Sequence, residues 1–388
     1  MSAAPSSVDH LVIGGGPAGA MLALRLAAAG RRVTLLEKEL GLHHKVCGEF
    51  LSPEAIGYLQ QAGIAPQQLG ATVIRRLRLS AGSTVYEASL PFQALSLSRC
   101  VLDAALLARV EAEGCQVLRG VAVESLTADG GAWVAAVSNG EPIRAKAVFV
   151  ATGKHDLRGF RRTPAKQSDL IGFKLHWQLP PAQRQALHGT MDLYLFCGGY
   201  GGLSPIENGI ANLCLVVRRS NLRRLGGWPR LLAGILRENR HLCSLLTGGR
   251  ALWARPLAIS PIPYGYLAGQ GCGFWCVGDQ AAVIPSFTGD GISIALHSAA
   301  LAAEMYLAGK SAADYLSALH AQLCHSMALA TWLSRASVTS VGRRLALPAL
   351  SLLPHAMQLI ATATRIPQAS LVLNENVLAG AEARAEPQ

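Results

Sequence analysis

Leu11-Val12-Ile13-Gly14-Gly15-Gly16-Pro17-Ala18-Gly19 decides the fold: a short apolar run, a glycine turn and the first residues of a helix. The run has the length and character of a buried parallel strand. Gly14 permits the tight turn out of it, Gly16 lets the backbone approach a pyrophosphate, and Gly19 lets the helix pack closely on the sheet. Pro17 and Ala18 open that helix, expected over residues 18–29, which aims its N-terminal N–H groups at phosphate. A second strand, Arg32 to Leu36, runs into Glu37, about 20 residues past the glycines, where a carboxylate grips ribose hydroxyls. A carboxylate there disfavours a 2′-phosphate. The order strand, glycine turn, helix, strand, acid predicts a dinucleotide site and an α/β, Rossmann-like fold.

Two further glycine motifs follow apolar runs. Ala151-Thr152-Gly153 comes after Ala147 to Val150, and Gly278-Asp279 after Phe274 to Val277. Strand ends of this kind converge on the ligand crevice of a doubly wound sheet. A ligand touching all three must be long and cross the whole domain, which points to FAD, held without a covalent bond. No second nucleotide fingerprint occurs, so the electron donor is either a transiently docked NAD(P)H or a ferredoxin-like protein.

Composition bounds the rest. The 388 residues are 51% apolar, ample for a large core, and the formal net charge is +11. The basic residues are scattered, with a denser patch from Arg218-Arg219 to Arg223-Arg224. That patch reads as a solvated surface or as attraction to an anionic membrane, carrier protein or phosphorylated substrate. Only 6% of residues are aromatic, and no nucleic-acid motif is present, so nucleic acid is not an expected partner. The nine cysteines show neither disulfide nor zinc spacing, Cys272 and Cys276 included. Their odd number fits a reducing cytoplasm, and no metal site is expected.

The chain alternates between two layers. Residues 1–75, 96–160 and 266–310 are expected to build the FAD-binding domain. Residues 76–95 and 161–265 form a β-rich substrate domain, and 311–388 a helical C-terminal segment. Within these, Pro53 to Gln61 and Arg99 to Glu113 read as helices, Val73 to Tyr86 and Val117 to Val123 as strands. A hairpin is expected at Asp129-Gly130-Gly131. Leu170 to Gln178, Gly189 to Phe196, Gly209 to Val217 and Ala258 to Ile262 read as strands of a roof over the cofactor. Trp228 to Glu238 and Ile292 to Ala308 read as helices, and Glu382 to Gln388 as a disordered end.

The motifs resemble the glutathione-reductase-type FAD superfamily of geranylgeranyl reductases, class A flavin monooxygenases and flavin halogenases. The resemblance covers most of residues 8–310 and is nearest to the geranylgeranyl-reductase-like branch. It rests on the Cys-Gly element Lys45-Val46-Cys47-Gly48-Glu49 and on Gly278-Asp279-Gln280-Ala281 continuing to Pro285-Ser286-Phe287-Thr288-Gly289-Asp290-Gly291-Ile292. Ser98-Arg99 with Leu102-Asp103 is similar to the helix start that brings an arginine to the pyrophosphate. The resemblance implies that Gly14, Gly16, Gly19 and Glu37 hold the ADP half, with Arg99 at the phosphates. Val123 would offer backbone bonds to adenine, and Asp279 would bind a ribityl or pyrophosphate-side hydroxyl. Gly289, Asp290 and Gly291, with the helix start at Ile292, would face the isoalloxazine. Lys38, Lys45, Gly153, Gly278 and Pro285 complete the expected cofactor set. Two features depart from relatives. The Asp-Gly pair of class A hydroxylases is missing from Lys154 to Gly159, and the halogenase Trp-x-Trp-x-Ile-Pro element does not occur.

The favoured reaction is reduction of a carbon–carbon double bond in a lipophilic isoprenoid or polyketide-like molecule. Hydroxylation of an aromatic or polyketide substrate is the alternative, and a non-catalytic flavin or lipid carrier the third reading. Cys47 and Glu49 are the catalytic candidates. Cys47 reads equally as a buried small hydrophobe, and Glu49 as a proton donor or an ion-pair partner. Lys174 and His176 share one face of a strand and are substrate candidates with Tyr200, in a stretch expected to form a glycine-aromatic turn. His43 and His44 share the loop before Cys47. Leu345 to Thr364 is twenty uncharged residues between Arg343-Arg344 and Arg365, the length of a membrane span. Pro348 and Pro354 interrupt it, so two packed short helices, interfacial membrane contact and a true span are the competing readings.

Overall fold

The chain is seen here in a computed structural model, which describes residues 7–373 apart from 139, 164, 270–272 and 354. Cys272, Pro354 and the end from Glu382 lie outside the described residues. The strand Ser7–Ile13 takes a central place in a seven-stranded sheet, between Val33–Glu37 and Ile143–Val150, both parallel to it. Trp275–Cys276 pairs with the C-terminal end of Ile143–Val150. All three glycine motifs therefore leave the same edge of one sheet. Helix Pro17–Ala28 follows the first motif, buried almost throughout because its face is alanine, leucine and methionine. It packs on helix Gly291–Leu307, which follows the third.

A nine-stranded sheet roofs this layer. Its order runs from Arg250–Ala251 through Leu170–Gln178, Ile210–Arg218, Gly199–Pro205, Thr190–Phe196, Thr72–Ala81 and Thr84–Ser96 to Phe50–Leu51, with Leu257–Ile259 paired to Leu170–Gln178. Because side chains alternate across a strand, register sorts this sheet into two faces. Phe173, Leu213, Leu215 and Val217 point to a core closed by helices Trp228–Glu238 and Arg240–Leu246. Lys174, Cys214, Gly202, Leu193 and Leu79 form one cross-strand row on the opposite face. His176, Asn212, Ser204, Met191 and Leu77 form the row beside it. That face looks down on the nucleotide layer.

Several local readings change. Val117 to Val123 is not one strand: Gly120, at φ +75°, ends Gln116–Arg119, and Val123 opens Val123–Asp129 at the opposite edge of the sheet. Val73 to Tyr86 is a hairpin, turning where Gly82 takes φ +62°. The stretch around Tyr200 is a strand. The turn lies just before it, at Gly198 with φ +74°. Helices Pro181–Leu187 and Arg219–Leu225 are short enough to carry little periodic signal. Beyond Gly291–Leu307 the chain continues as helices Ala312–Ser337, Ser340–Leu352 and Ala356–Ala363. No single helix among the described residues is long and apolar enough to cross a membrane, and the last two are bent 111° to one another.

Candidate functional site

The nucleotide site begins at Gly14. Its φ is +110°, and a Cβ there would lie 2.5 Å from the Ala151 carbonyl oxygen of the second motif. A Cβ on Gly19 would lie 1.9 Å from the Gly14 carbonyl oxygen, so helix and turn touch backbone to backbone. Gly16 differs: its nearest neighbours would be the Arg99 guanidinium at 3.4 Å and the Lys45 ammonium at 4.0 Å. Gly16 is also the N-cap of helix Pro17–Ala28, with no side-chain cap and no acid in the first turn. An open helix N-terminus flanked by two cations is an anion cradle. Asp103 tethers both cations, accepting from Arg99 Nε at 2.8 Å and lying 3.0 Å from Lys45 Nζ. Glu37 Oε2 accepts from the Gly15 N–H at 2.8 Å, which fixes the carboxylate at the strand end.

The other motifs close round the same cavity, of about 500 Å³. Lys38, Val123, Gly153, Asp279, Gly289, Gly291 and Ile292 line it with Gly14, Gly16, Pro17 and Ala18. A Cβ on Gly278 would lie 2.8 Å from the Ala18 Cβ, so the third motif packs onto the first helix. Asp279 Oδ2 accepts from Lys154 Nζ at 2.9 Å. Pro285 is buried and lines neither cavity. Asp290 turns its side chain away, and its carboxylate lies 3.2 Å from Arg365. The free helix N-terminus, the two cations and the fixed Glu37 suit the diphosphate and ribose of FAD, which supplies hydride or activates oxygen once reduced.

Beside this cavity lies a second, of about 460 Å³, walled by the inward face of the roof sheet and by the C-terminal helices. Leu77, Leu79, Met191 and Leu193 form one side, and Leu333, Ala346, Leu350 and Met357 the other. The two cavities share Gly48, Phe50, Cys214, Ser286 and Gly289. Gly289 has φ +79°, and a Cβ on it would sit 2.7 Å from the Phe50 ring. Burial pushes the Cys214 thiol up to about 12, so it is neutral. Tyr264 donates to Ser286 Oγ at 2.7 Å. Tyr200 lines the apolar cavity, edge-on to Phe287, with its hydroxyl 3.1 Å from Ser334 Oγ.

Glu49, Lys174 and His176 converge as one buried cluster. Glu49 Oε1 accepts from the Arg99 N–H at 2.8 Å and from Lys174 Nζ, while Oε2 lies 3.2 Å from His176 Nε2. Burial alone would raise the Glu49 carboxyl. The His176 hydrogen bond and the Lys174 ammonium reverse that and hold it below its ordinary value. It is therefore ionised near neutrality, which does not suit a proton donor. Lys174 is fully buried and lines neither cavity, so it does not reach a substrate. His44 stacks edge-on to His176, and Trp253 covers both rings. The donor atoms of His44, Glu49 and His176 lie within 4.8 Å of one another, but the Lys174 ammonium already neutralises the carboxylate, which disfavours a cation. Cys47 lines the cofactor cavity, its Sγ accepting from the Glu49 N–H at 3.3 Å. Phe50, Cys214 and Arg365 carried no motif. Only the placement of their strands and the C-terminal turn brings them to the site.

Residues 7–155 match the FAD binding domain family. Menaquinone reductase of Mycolicibacterium smegmatis is 27% identical over 328 residues, covering 80% of this chain and 78% of the relative. Digeranylgeranylglycerophospholipid reductase 2 of Methanopyrus kandleri is 27% identical over 320 residues, 76% of each chain. Among solved structures, PqsL, a probable FAD-dependent monooxygenase from Pseudomonas aeruginosa, superposes with TM-score 0.71 at 20% identity, covering 89% of this chain and 99% of that one. The fold and site thus define an FAD-dependent oxidoreductase. Residues 7–155 therefore form an FAD binding domain, and the chain, similar in sequence to reductases of menaquinone and of a geranylgeranyl lipid, is an enzyme rather than a carrier.

Proposed function

We propose that this enzyme reduces a double bond in a lipophilic molecule of isoprenoid or quinone type. The observation that carries the reading is the apolar cavity meeting the cofactor cavity at Phe50, Cys214, Ser286 and Gly289. An apolar chain lying there buries its surface and excludes water from the reacting face. The chain's own groups hold the substrate and offer it a proton, with the Ser286 hydroxyl, backed by Tyr264, placed where the two cavities join. Two relatives, reductases of menaquinone and of a geranylgeranyl lipid, support reduction. Hydroxylation is the second reading, supported by the apolar lining of the same cavity.

Anaerobic reduction of the FAD-loaded protein, followed by mixing with a short-chain menaquinone or a geranylgeranyl lipid, tests it. Substrate-driven flavin reoxidation with a product heavier by two hydrogens is expected. Fast reoxidation by oxygen that depends on an aromatic ligand would establish the hydroxylase instead.

Access from a membrane surface belongs to the same proposal. Trp332, Val341, Leu345, Leu352, Leu353 and Leu359 are exposed, and Trp332, Leu345 and Leu353 also line the apolar cavity. Arg335 and Arg344 are exposed beside them. Apolar side chains at a cavity mouth with flanking arginines suit an anionic bilayer. Cosedimentation with phosphatidylglycerol vesicles is expected for the whole chain and lost in a Leu345→Ser, Leu352→Ser, Leu359→Ser variant. Wild-type protein that stays in the supernatant at low salt would remove this part of the proposal.

A further inference from the structure

Asp290 is the residue before helix Gly291–Leu307, yet its side chain does not cap that helix. It is 1% exposed, and neither carboxylate oxygen has a well-formed hydrogen bond, the neighbouring Thr288 hydroxyl donating to the Pro285 carbonyl at 3.3 Å. The charged groups facing it are two. Arg365 comes from the turn after helix Ala356–Ala363, 3.2 Å away, and Glu54 from helix Pro53–Gln61. Glu54 has first claim on the guanidinium, accepting from Arg365 Nε at 2.8 Å and 3.0 Å and from an Nη at 2.5 Å. The face of that guanidinium lies 4.2 Å from the Phe92 ring centre. Two buried carboxylates therefore share one arginine, and the cluster carries a net negative charge unless one of them holds a proton. Burial pushes the Asp290 carboxyl up to about 7, against the pull of Arg365, so Asp290 is the member poised to hold it.

The position of this cluster gives the proton a use. Gly289, Gly291 and Ile292, on either side of Asp290, line the cofactor cavity, and Gly289 stands where the two cavities join. We infer that Asp290 is a redox-linked proton site: it takes up a proton from solvent when the bound FAD is reduced and releases it on reoxidation. The electrons come from an added reductant and go to the cofactor. At Asp290 the only bond formed or broken is the carboxyl O–H. Negative charge added to a cofactor held in that cavity would face an anionic carboxylate behind the Gly289–Gly291 loop, and protonation would remove that repulsion. Asp290 thereby acts as a positioning residue for charge, and Arg365 ties the same cluster to the wall of the apolar cavity, which it also lines.

The test needs no substrate, so it is independent of the reaction proposed above. The potential of bound FAD is measured against pH in wild type and Asp290→Asn, together with the reduced-minus-oxidised infrared difference spectrum. Above about pH 7, where Asp290 is ionised before reduction, wild type is expected to take up more protons per electron pair than Asp290→Asn, approaching one extra. A protonated-carboxyl band should appear on reduction in wild type and be missing from the variant. Glu54→Gln should move the extra uptake to lower pH, because Asp290 then has Arg365 to itself. If Asp290→Asn does not retain FAD, the Glu54→Gln shift decides alone. Equal slopes in wild type and Asp290→Asn, or an unmoved slope in Glu54→Gln, would overturn the inference.

Discussion

Replacing Glu49 with Gln distinguishes a proton donor from a buried counter-ion. Lys174 is fully buried, and Glu49 is the acid it pairs with. Removing one partner of a buried pair leaves the other charge uncompensated and costs about 3–5 kcal/mol. Glutamine keeps the shape and can still bond His176, so packing changes little. The φ of +61° at this position is shared by both side chains and cancels. Urea unfolding of the FAD-loaded protein should therefore show a large loss of midpoint in Glu49→Gln. The double variant Glu49→Gln, Lys174→Met should recover most of it, because an apolar replacement of both partners is often neutral. The sign in pH follows from a lowered carboxyl. The stabilisation is present above the ordinary glutamate value of 4.5 and is lost as pH falls through the depressed one. A Glu49→Gln protein with an unchanged midpoint and abolished turnover would refute the counter-ion reasoning and restore Glu49 as a catalytic acid.

The glycine loop should separate binding from folding. Gly16→Val should give a folded, colourless protein, since only the Arg99 and Lys45 side-chain ends crowd that position, whereas Gly19→Val should fail to fold against the Gly14 carbonyl. Circular dichroism and flavin absorbance check both, and a yellow Gly16→Val protein would contradict the cradle. Asp290 sets a second pH dependence, opposite in sign to that of Glu49. Its folded value of about 7 against 3.8 means that wild-type stability falls as pH rises from the lower to the higher value. The fall is up to about 4 kcal/mol. Unfolding midpoints for Asp290→Asn should lack that fall, and parallel curves for the two proteins would show that Asp290 is ionised throughout.

How much of this was legible in the sequence depends on how local each constraint is. The nucleotide layer was read closely because its steric demands are written in glycines: Gly14 and Gly19 each meet backbone where a Cβ would go. Helices Pro53–Gln61 and Trp228–Glu238 and strand Leu170–Gln178 were read to the residue. Their boundaries carry local signals, among them proline at the first or second position of both helices. The stretch Gly199–Pro205 was misread because three glycines and a proline have turn chemistry. Tertiary pairing on both edges, to Thr190–Phe196 and Ile210–Arg218, overrides that preference.

The site was legible only in part, because its remaining logic lies between elements. The pattern put Lys174 and His176 on one face of a strand, and they share that face. It could not say that the face meets Glu49, 125 residues earlier, so a lysine read as a substrate contact is a buried counter-charge. The same holds for Asp290. Its motif placed it at the cofactor, and its backbone neighbours are there. The side chain answers instead to Arg365, which lies 75 residues on and carried no motif of its own. A motif fixes where the backbone must go. The partner of a buried charge is chosen by desolvation in the assembled fold, and a buried acid takes whichever cation the topology brings within reach. For this reason the cofactor cradle could be read from one segment of chain, while the roles of Glu49, Lys174 and Asp290 could be read only once the two layers and the C-terminal helices were packed together.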